Sequence, residues 1–262
     1  MNILFIADVF GRPGRQIVKN HLPALLSELA IDVCIANCEN SASGLGVTEK
    51  TADELFNAGV DILTGGNHLW DKKEVFDYLA IEKRILKPAN FPPRALGNRF
   101  FIKTLPREKK LAIVTLCGQA FMGPADSPFI VMEELLPILK KESDYIFVDF
   151  HAEATAEKRA FGLYFDGQIS AIVGTHTHIQ TADEEILPGG TAYITDAGMT
   201  GPHHSVIGIK KEIIFEKIMT GMPLRYEVAE RGKQLNAVFI TIDELTGKAT
   251  KIDRIREKIS DN

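Results

Sequence analysis

Five short apolar runs in this 262-residue chain each lead into side chains that can bind a cation or move a proton. Ile3-Leu4-Phe5-Ile6-Ala7 ends in Asp8, and Val33-Cys34-Ile35-Ala36 leads into Asn37, Cys38, Glu39 and Asn40. Ile62-Leu63-Thr64 is followed by Gly65, Gly66, Asn67 and His68. The run 145–150 ends in His151, and the run 169–173 ends in Gly174, Thr175, His176, Thr177 and His178. In sheets wound with crossover helices, ligands bind beyond the carboxyl ends of the strands, so these groups are expected to meet in one crevice. Carboxylates gathered at a poorly solvated sheet edge lose several kcal/mol of hydration each unless they are paired. No Lys or Arg stands at these strand ends to pair with them. A metal cation is the simplest partner, and Asp, Glu, Asn and imidazole together suit Mn, Fe, Zn or Mg. His176 and His178 carry the sharpest part of this signal, in a Gly-x-His-x-His turn directly after an apolar strand.

The elements that must position these groups alternate between strand and helix. After the first run and a turn at residues 11–14, Ile17, Leu22, Leu25, Leu26 and Leu29 recur at helical spacing, with Pro13 expected as the first helical residue. The run 33–36 precedes a helix through Leu55 and Phe56, for which Thr48 is the expected N-cap. The runs 111–116, 145–150 and 169–173 are read as further strands, with a helix carrying Met132, Leu135, Leu136 and Leu139 between the first two. Continuous apolar strands alternating with helices argue for a sheet covered by helices. Residues 237–242 and 248–255, joined by a turn at 243–247, alternate polar and apolar side chains like an antiparallel hairpin. A mixed sheet, or two packed sheets, follows. Residues 87–97 contain three prolines and read as an irregular connection inside one domain spanning 1–262, since helix and strand patterns resume on both sides.

Composition excludes several function classes. The chain is 45% hydrophobic and 25% charged, with a net charge of −5 and no long basic tract, so binding to DNA is not expected. No stretch approaches the roughly 20 apolar residues of a membrane span, and Asp8 interrupts any reading of the N-terminus as a signal peptide. Three cysteines, Cys34, Cys38 and Cys117, are too few for a disulfide framework and suggest reduced, buried thiols in a cytoplasmic protein.

The segments NCENSASGLGVT (37–48), GGNHLWDKK (65–73), DFHAEAT (149–155), GTHTHIQTA (174–182) and LPGGTAYITDAGMTGP (187–202) together resemble the YmdB-type branch of the calcineurin-like metallophosphoesterases. The likeness covers nearly the whole chain. The wider superfamily opens with Asp-x-His, whereas Phe10 stands two places after Asp8 here, and Glu39 occupies the place of a usual bridging Asp. Both departures belong to the YmdB-type branch. The resemblance implies an α/β fold, a two-sheet mixed β-sandwich flanked by helices, with a dinuclear metal centre and phosphodiesterase activity on cyclic nucleotides, 2′,3′ or 3′,5′. Carried over residue by residue, it gives one ion Asp8, Glu39, Asn40 and His178. The other takes Glu39, Asn67, His151 and His176, with the Glu39 carboxylate bridging both. Two cations roughly 3.5–4 Å apart would acidify a shared water for in-line attack as a bridging hydroxide. The resemblance favours Fe or Mn, with Zn or Mg as alternatives, and His68 is then assigned as the general acid that protonates the leaving alkoxide.

Two other functional readings stay open at this point: a phosphomonoesterase on the same centre, and a regulatory RNA- or protein-binding factor with incidental hydrolysis. Oligomeric state is open as well. The turn Gly11-Arg12-Pro13-Gly14-Arg15 reads more readily as a tight turn than as a phosphate cradle. Gly44 and Gly46 are expected to give the loop after Glu39 its backbone freedom. His203 and His204 are read as structural or solvent-facing, His21 as a surface residue, and Trp70 with Lys72 and Lys73 as a packed aromatic beside a solvated face.

Overall fold

Strands apolar along their whole length belong where both sheet faces are covered, and the computed structural model, described over residues 1–260, places them so. The first half of the chain contributes β1 (Asn2–Ile6), β2 (Asp8–Val9), α1 (Gly11–Glu28), β3 (Val33–Asn37), α2 (Glu49–Asn57), β4 (Ile62–Thr64), α3 (Val75–Ile81), β5 (Ile85–Leu86), β6 (Phe100–Thr104) and β7 (Lys110–Cys117). The second half contributes α4 (Pro128–Glu142), β8 (Tyr145–His151), α5 (Thr155–Tyr164), β9 (Ala171–Thr175), β10 (Glu185–Ile186), β11 (Ala192–Ile194), β12 (Met199–Pro202), α6 (Lys211–Thr220), β13 (Lys233–Ile242) and β14 (Ala249–Lys258). One sheet of eight strands runs β2-β12-β13-β1-β3-β4-β5, with β14 added to β13; the other, of six, runs β10-β11-β9-β8-β7-β6. Parallel β1, β3, β4 and β5 and antiparallel β13 make the first sheet mixed. In the second, β7, β8, β9 and β11 are parallel and β6 and β10 antiparallel.

Side-chain alternation then builds three apolar layers. Ile3, Phe5, Val33 and Ile35 of the first sheet meet Ile113, Phe147 and Val173 of the second, with Phe5 stacked on Phe147 at 5.5 Å. Leu4, Ile6, Cys34 and Ala36 point the other way, onto Ile17, Val18 and Leu22 of α1 and Ala52 and Leu55 of α2. Val114, Ile146, Val148 and Ile172 likewise meet Met132, Leu135 and Leu139 of α4 and Phe161 of α5. The result is the two-sheet mixed α/β sandwich flanked by helices that the sequence resemblance implies.

Thr48 caps α2 in a reciprocal box with Thr51, as its position predicts. Pro13 differs: α1 begins two residues earlier, at Gly11, so Pro13 is its third residue. That position still lies in the first turn, where a backbone N–H has no helical partner to lose. The strand expected at 169–173 runs instead from Ala171 to Thr175, because Thr175 pairs with His151 of β8. The C-terminal hairpin is present, in register from Gln234 opposite Lys258 to Ile242 opposite Ala249. Residues 87–97 are irregular, and the buried Lys87 amine gathers that connection by donating to the carbonyls of Pro92 and Ala95 at 3.0 and 2.6 Å. Among the described residues, no helix is long and apolar enough to cross a membrane.

Candidate metal centre

The expected ligand residues all sit at strand ends, and the two sheets supply them jointly. Asp8 opens β2, Glu39 and Asn40 follow β3, and Asn67 and His68 follow β4; His151 closes β8, and His176 and His178 follow β9. The structure gathers them around two imidazole nitrogens. His151 Nε2 lies 3.1 Å from Glu39 Oε1, 3.1 Å from Asn67 Oδ1 and 3.0 Å from His176 Nδ1. His178 Nε2 lies 3.1 Å from Asn40 Nδ2 and 3.3 Å from Asp8 Oδ2. Asn40 Nδ2 also reaches Glu39 Oε1 at 3.3 Å, so the two groups are contiguous. A half-turn of that amide puts its oxygen, a ligand atom, in the same place.

Hydrogen bonding does not account for this arrangement. One imidazole nitrogen can use one proton or one lone pair, yet three polar atoms crowd His151 Nε2. Asp8 is fully buried and neither of its carboxylate oxygens accepts a hydrogen bond, a desolvation that a native fold normally compensates. Glu39, His151 and His176 offer ligand atoms all within 4.8 Å of one another. Cations fit both groups: they supply the charge that Asp8 and Glu39 lack, and they take the lone pairs that converge there.

The surrounding residues turn those lone pairs inward. Thr175 Oγ1 donates to Asp149 Oδ1 (2.6 Å), so at 2.9 Å from His151 Nδ1 it must accept, leaving His151 Nε2 unprotonated when the imidazole is neutral. Asp149 accepts also from Asn37 Nδ2 and Thr64 Oγ1, and burial still pushes its carboxyl up to about 6. His178 Nδ1 faces the Ile207 carbonyl at 3.0 Å, which frees its Nε2 for the centre. His176 is reversed: its Nε2 faces Glu153 at 3.2 Å and its Nδ1 faces the centre. Burial works against a charge on Glu39, yet the adjacent His151 holds its carboxyl well below the usual range, while Glu39 raises His151 against the pull of burial. His176 is drawn down to about 4 by burial and by His151 beside it.

His176 and His178 both have positive φ, 99° and 65°, in a region that non-glycine residues seldom adopt. A buried ion pair holds this turn in place. Lys158 Nζ donates to Asp196 Oδ2 and to the Thr175 carbonyl, each at 2.7 Å, and the same Asp196 oxygen accepts from the backbone and hydroxyl of Thr177. Sequence pattern alone gives no role to Asp149, Glu153, Lys158, Thr175 or Asp196. An acid inside an apolar strand, as in Asp149, was the one available signal.

The sequence pattern of the YmdB-like protein family matches residues 4–255. The chain belongs to this family. It is 48% identical over 256 residues to a 2′,3′-cyclic-nucleotide 2′-phosphodiesterase of Bacillus subtilis (strain 168), covering 97% of this chain and 96% of that protein. Two crystal structures superpose with a TM-score of 0.93 at 38% identity. One is a hypothetical protein from Thermus thermophilus, covering 98% of this chain and 99% of that one. The other is described as a novel phosphatase from Mycoplasma pneumoniae, with coverage of 98% and 93%. The expected enzyme class, a phosphodiesterase, agrees with the name of the Bacillus subtilis relative.

In this YmdB-like chain His68 sits beside the candidate ligand residues, not among them. Its backbone N–H donates to Glu39 Oε2 (3.0 Å) and its Nδ1 meets Asp71 Oδ2 at 2.7 Å, which fixes the direction of the ring. The minor candidates keep structural roles. His203 bonds the Met199 carbonyl, His204 meets Lys211 at the surface, and Trp70 donates to the Leu96 carbonyl while packing on Phe91. Gly44 and Gly46 adopt φ of +88° and +78°, the freedom expected of them.

Gly66 forms the floor of the site, since a Cβ there would overlap the His151 ring and the Glu39 carboxylate. Gly66→Ala is therefore expected to cost about 1–3 kcal/mol of stability by overpacking and to weaken metal binding. Thermal unfolding and metal titration of the variant check both effects.

Proposed function

We propose that this chain is a two-metal phosphodiesterase acting on small phosphodiesters, with ribose cyclic phosphates as its leading substrates. The observation that carries the reading is Asp8, a fully buried carboxylate with no hydrogen bond, gathered with Glu39, two amides and three imidazoles. Asp8, Glu39, Asn40 and His178 would hold one ion, and Glu39, Asn67, His151 and His176 the other. This nitrogen and oxygen donor set suits iron, manganese, zinc or magnesium, and the family resemblance favours iron or manganese. When bound, such a pair of ions would lower the pKa of a shared water and offset the negative charge developing on the phosphoryl oxygens. The chain's own residues do the rest. Asp149 and Thr175 keep the His151 tautomer, the Ile207 carbonyl keeps that of His178, and Glu153 aims His176. His68, held by Asp71, delivers a proton to the departing ribose oxygen.

The name of the Bacillus subtilis relative supports 2′,3′-cyclic nucleotides as the substrates. Three buried, unpaired cysteines suit a reducing, cytoplasmic setting. The test is elemental analysis of freshly purified protein together with initial rates on 2′,3′-cyclic AMP, 3′,5′-cyclic AMP and p-nitrophenyl phosphate. Two transition-metal ions per chain are expected, with kcat/KM for the 2′,3′-cyclic diester highest in the panel. A monoester turned over faster than every diester would make the protein a phosphatase instead.

A further inference from the structure

Beside the metal centre runs a charged trough that the reading above leaves without a role. Its largest cavity, about 850 Å³, lies between the start of α1 and residues 225–233, at the upper end of small-molecule clefts of about 300–1,000 Å³. It shares Arg12 and Gln16 with a second cavity, and Glu230 and Arg231 with a third, so the three adjoin. Nine basic side chains and four acidic ones line it, in a chain whose net charge is −5. Two of the acids are neutralised, Glu54 by Arg15 and Glu227 by Lys210. Arg12, Lys19, Lys50, Arg225 and Arg231 are exposed and form no ion pair among the described residues. Such segregation of positive charge in an acidic protein is the footprint of a polyanion.

The trough is tied to the catalytic crevice through the backbone. Arg12 follows Asp8 by four residues and Ser43, also on the trough wall, follows Asn40 by three. The Gly11 N–H donates to the Asn40 carbonyl (2.9 Å), and Phe10 stands edge-on to the His178 ring at 5.4 Å. The substrate chemistry points the same way. A 2′,3′-cyclic phosphate forms when a ribose 2′-hydroxyl attacks its own 3′-phosphodiester and the downstream nucleotide leaves, so the group arises on the 3′ end of an RNA fragment. The reaction that supplies this substrate is therefore RNA cleavage by transesterification, and its product carries further phosphates upstream.

We propose that the trough binds the upstream nucleotides of an oligoribonucleotide whose 3′-terminal cyclic phosphate lies in the metal centre, with Arg12, Arg225 and Arg231 on its phosphates. This rests on the proposed activity and names its substrate. Water adds to the phosphorus, the ribose 2′ oxygen leaves and takes a proton, and a 3′-phosphomonoester stays on the fragment. The exposed Tyr226 ring, with Lys217 at 4.6 Å from its centroid, offers one base a stacking surface.

The experiment compares a five-nucleotide RNA ending in a 2′,3′-cyclic phosphate with 2′,3′-cyclic AMP. It also measures fluorescence anisotropy of a labelled RNA of the same length ending in a 3′-hydroxyl. The oligomer is expected to have a kcat/KM at least tenfold higher at low salt. Its binding should weaken with salt at a log–log slope of about 2 for three phosphate contacts on a single strand. Combined Arg12→Glu, Arg225→Glu and Arg231→Glu should bring the oligomer-to-mononucleotide ratio to about one and abolish the anisotropy change. Lys141→Glu, on α4 beside the other sheet, should leave the ratio as it is. A ratio near one in the unmodified protein, or one the charge reversals leave intact, overturns the proposal. So does inorganic polyphosphate competing as well as RNA, or light scattering showing that the reversals split an oligomer, which would make the trough a contact between copies. If neither substrate is hydrolysed while RNA still binds in the trough, the proposed activity fails instead.

Discussion

Glu39→Gln is expected to lower bound metal from two ions per chain to one or none, and to reduce activity on every ester tested. Both Glu39 oxygens face the site: Oε1 lies against His151 and Asn40, and Oε2 accepts the His68 N–H. Gln keeps the volume but removes the shared charge, and one orientation of its amide sets an N–H₂ against the His68 N–H. The loss should exceed that of Thr175→Val, which leaves every proposed ligand in place and removes only the hydroxyl that orients His151. Loss of such a supporting bond typically costs about 10–100-fold in metal affinity or activity. Elemental analysis and a Mn²⁺ titration of the two variants separate the effects. Retention of two tightly bound ions by Glu39→Gln would rule out a bridging role.

His68→Ala should keep its metals and still slow cleavage of a ribose cyclic ester by roughly 10²–10⁴-fold, the range of a lost general acid. The contrast comes from the leaving group. A p-nitrophenolate departs without a proton, so bis-(p-nitrophenyl) phosphate should suffer far less from the same substitution. Asp71→Asn keeps the imidazole but weakens the 2.7 Å contact that orients it, so its effect should fall between those of the wild type and His68→Ala. Equal damage to both substrates with metal content intact would make His68 an orienting residue for the phosphoryl oxygens.

The layers of the fold were legible where burial is uniform. Residues 111–116 and 145–150 are apolar except for Thr115 and Asp149, because α4 and α5 cover one face and the other sheet covers the opposite one. Helix α5 itself escapes such reading, since its core face carries Lys158, whose amine is spent on Asp196. In α6 no residue is buried, so no inward stripe marks it. At the centre, side-chain type and strand-end position brought Asp8, Glu39 and the histidines forward as candidates, and the family resemblance chose the expected ligands among them. Thr175 and Asp196 could not be found that way, because their roles depend on contacts across 19 to 26 residues of sequence. The trough is similarly dispersed: Arg12 and Arg231 lie at opposite ends of the chain and meet only after β12 and β13 return beside α1.

Because Asp8, Glu39, Asn40 and Asn67 descend from one sheet and His151, His176 and His178 from the other, the ions would act as rivets through the open edge of the sandwich. A ligand that binds only the closed arrangement stabilises it by RT ln(1 + [L]/Kd), about 4 kcal/mol at a thousandfold excess over Kd. Chelation should then loosen the strand ends before the apolar middle of the sandwich gives way. Amide hydrogens at the carboxyl ends of β3, β8 and β9 should exchange faster without metal, while those of β1, sealed between β3 and β13, should hardly change. Metal supply would thus govern how long the protein survives proteolysis as well as how fast it turns over, and a metal-starved cell would shed this enzyme rather than keep it idle.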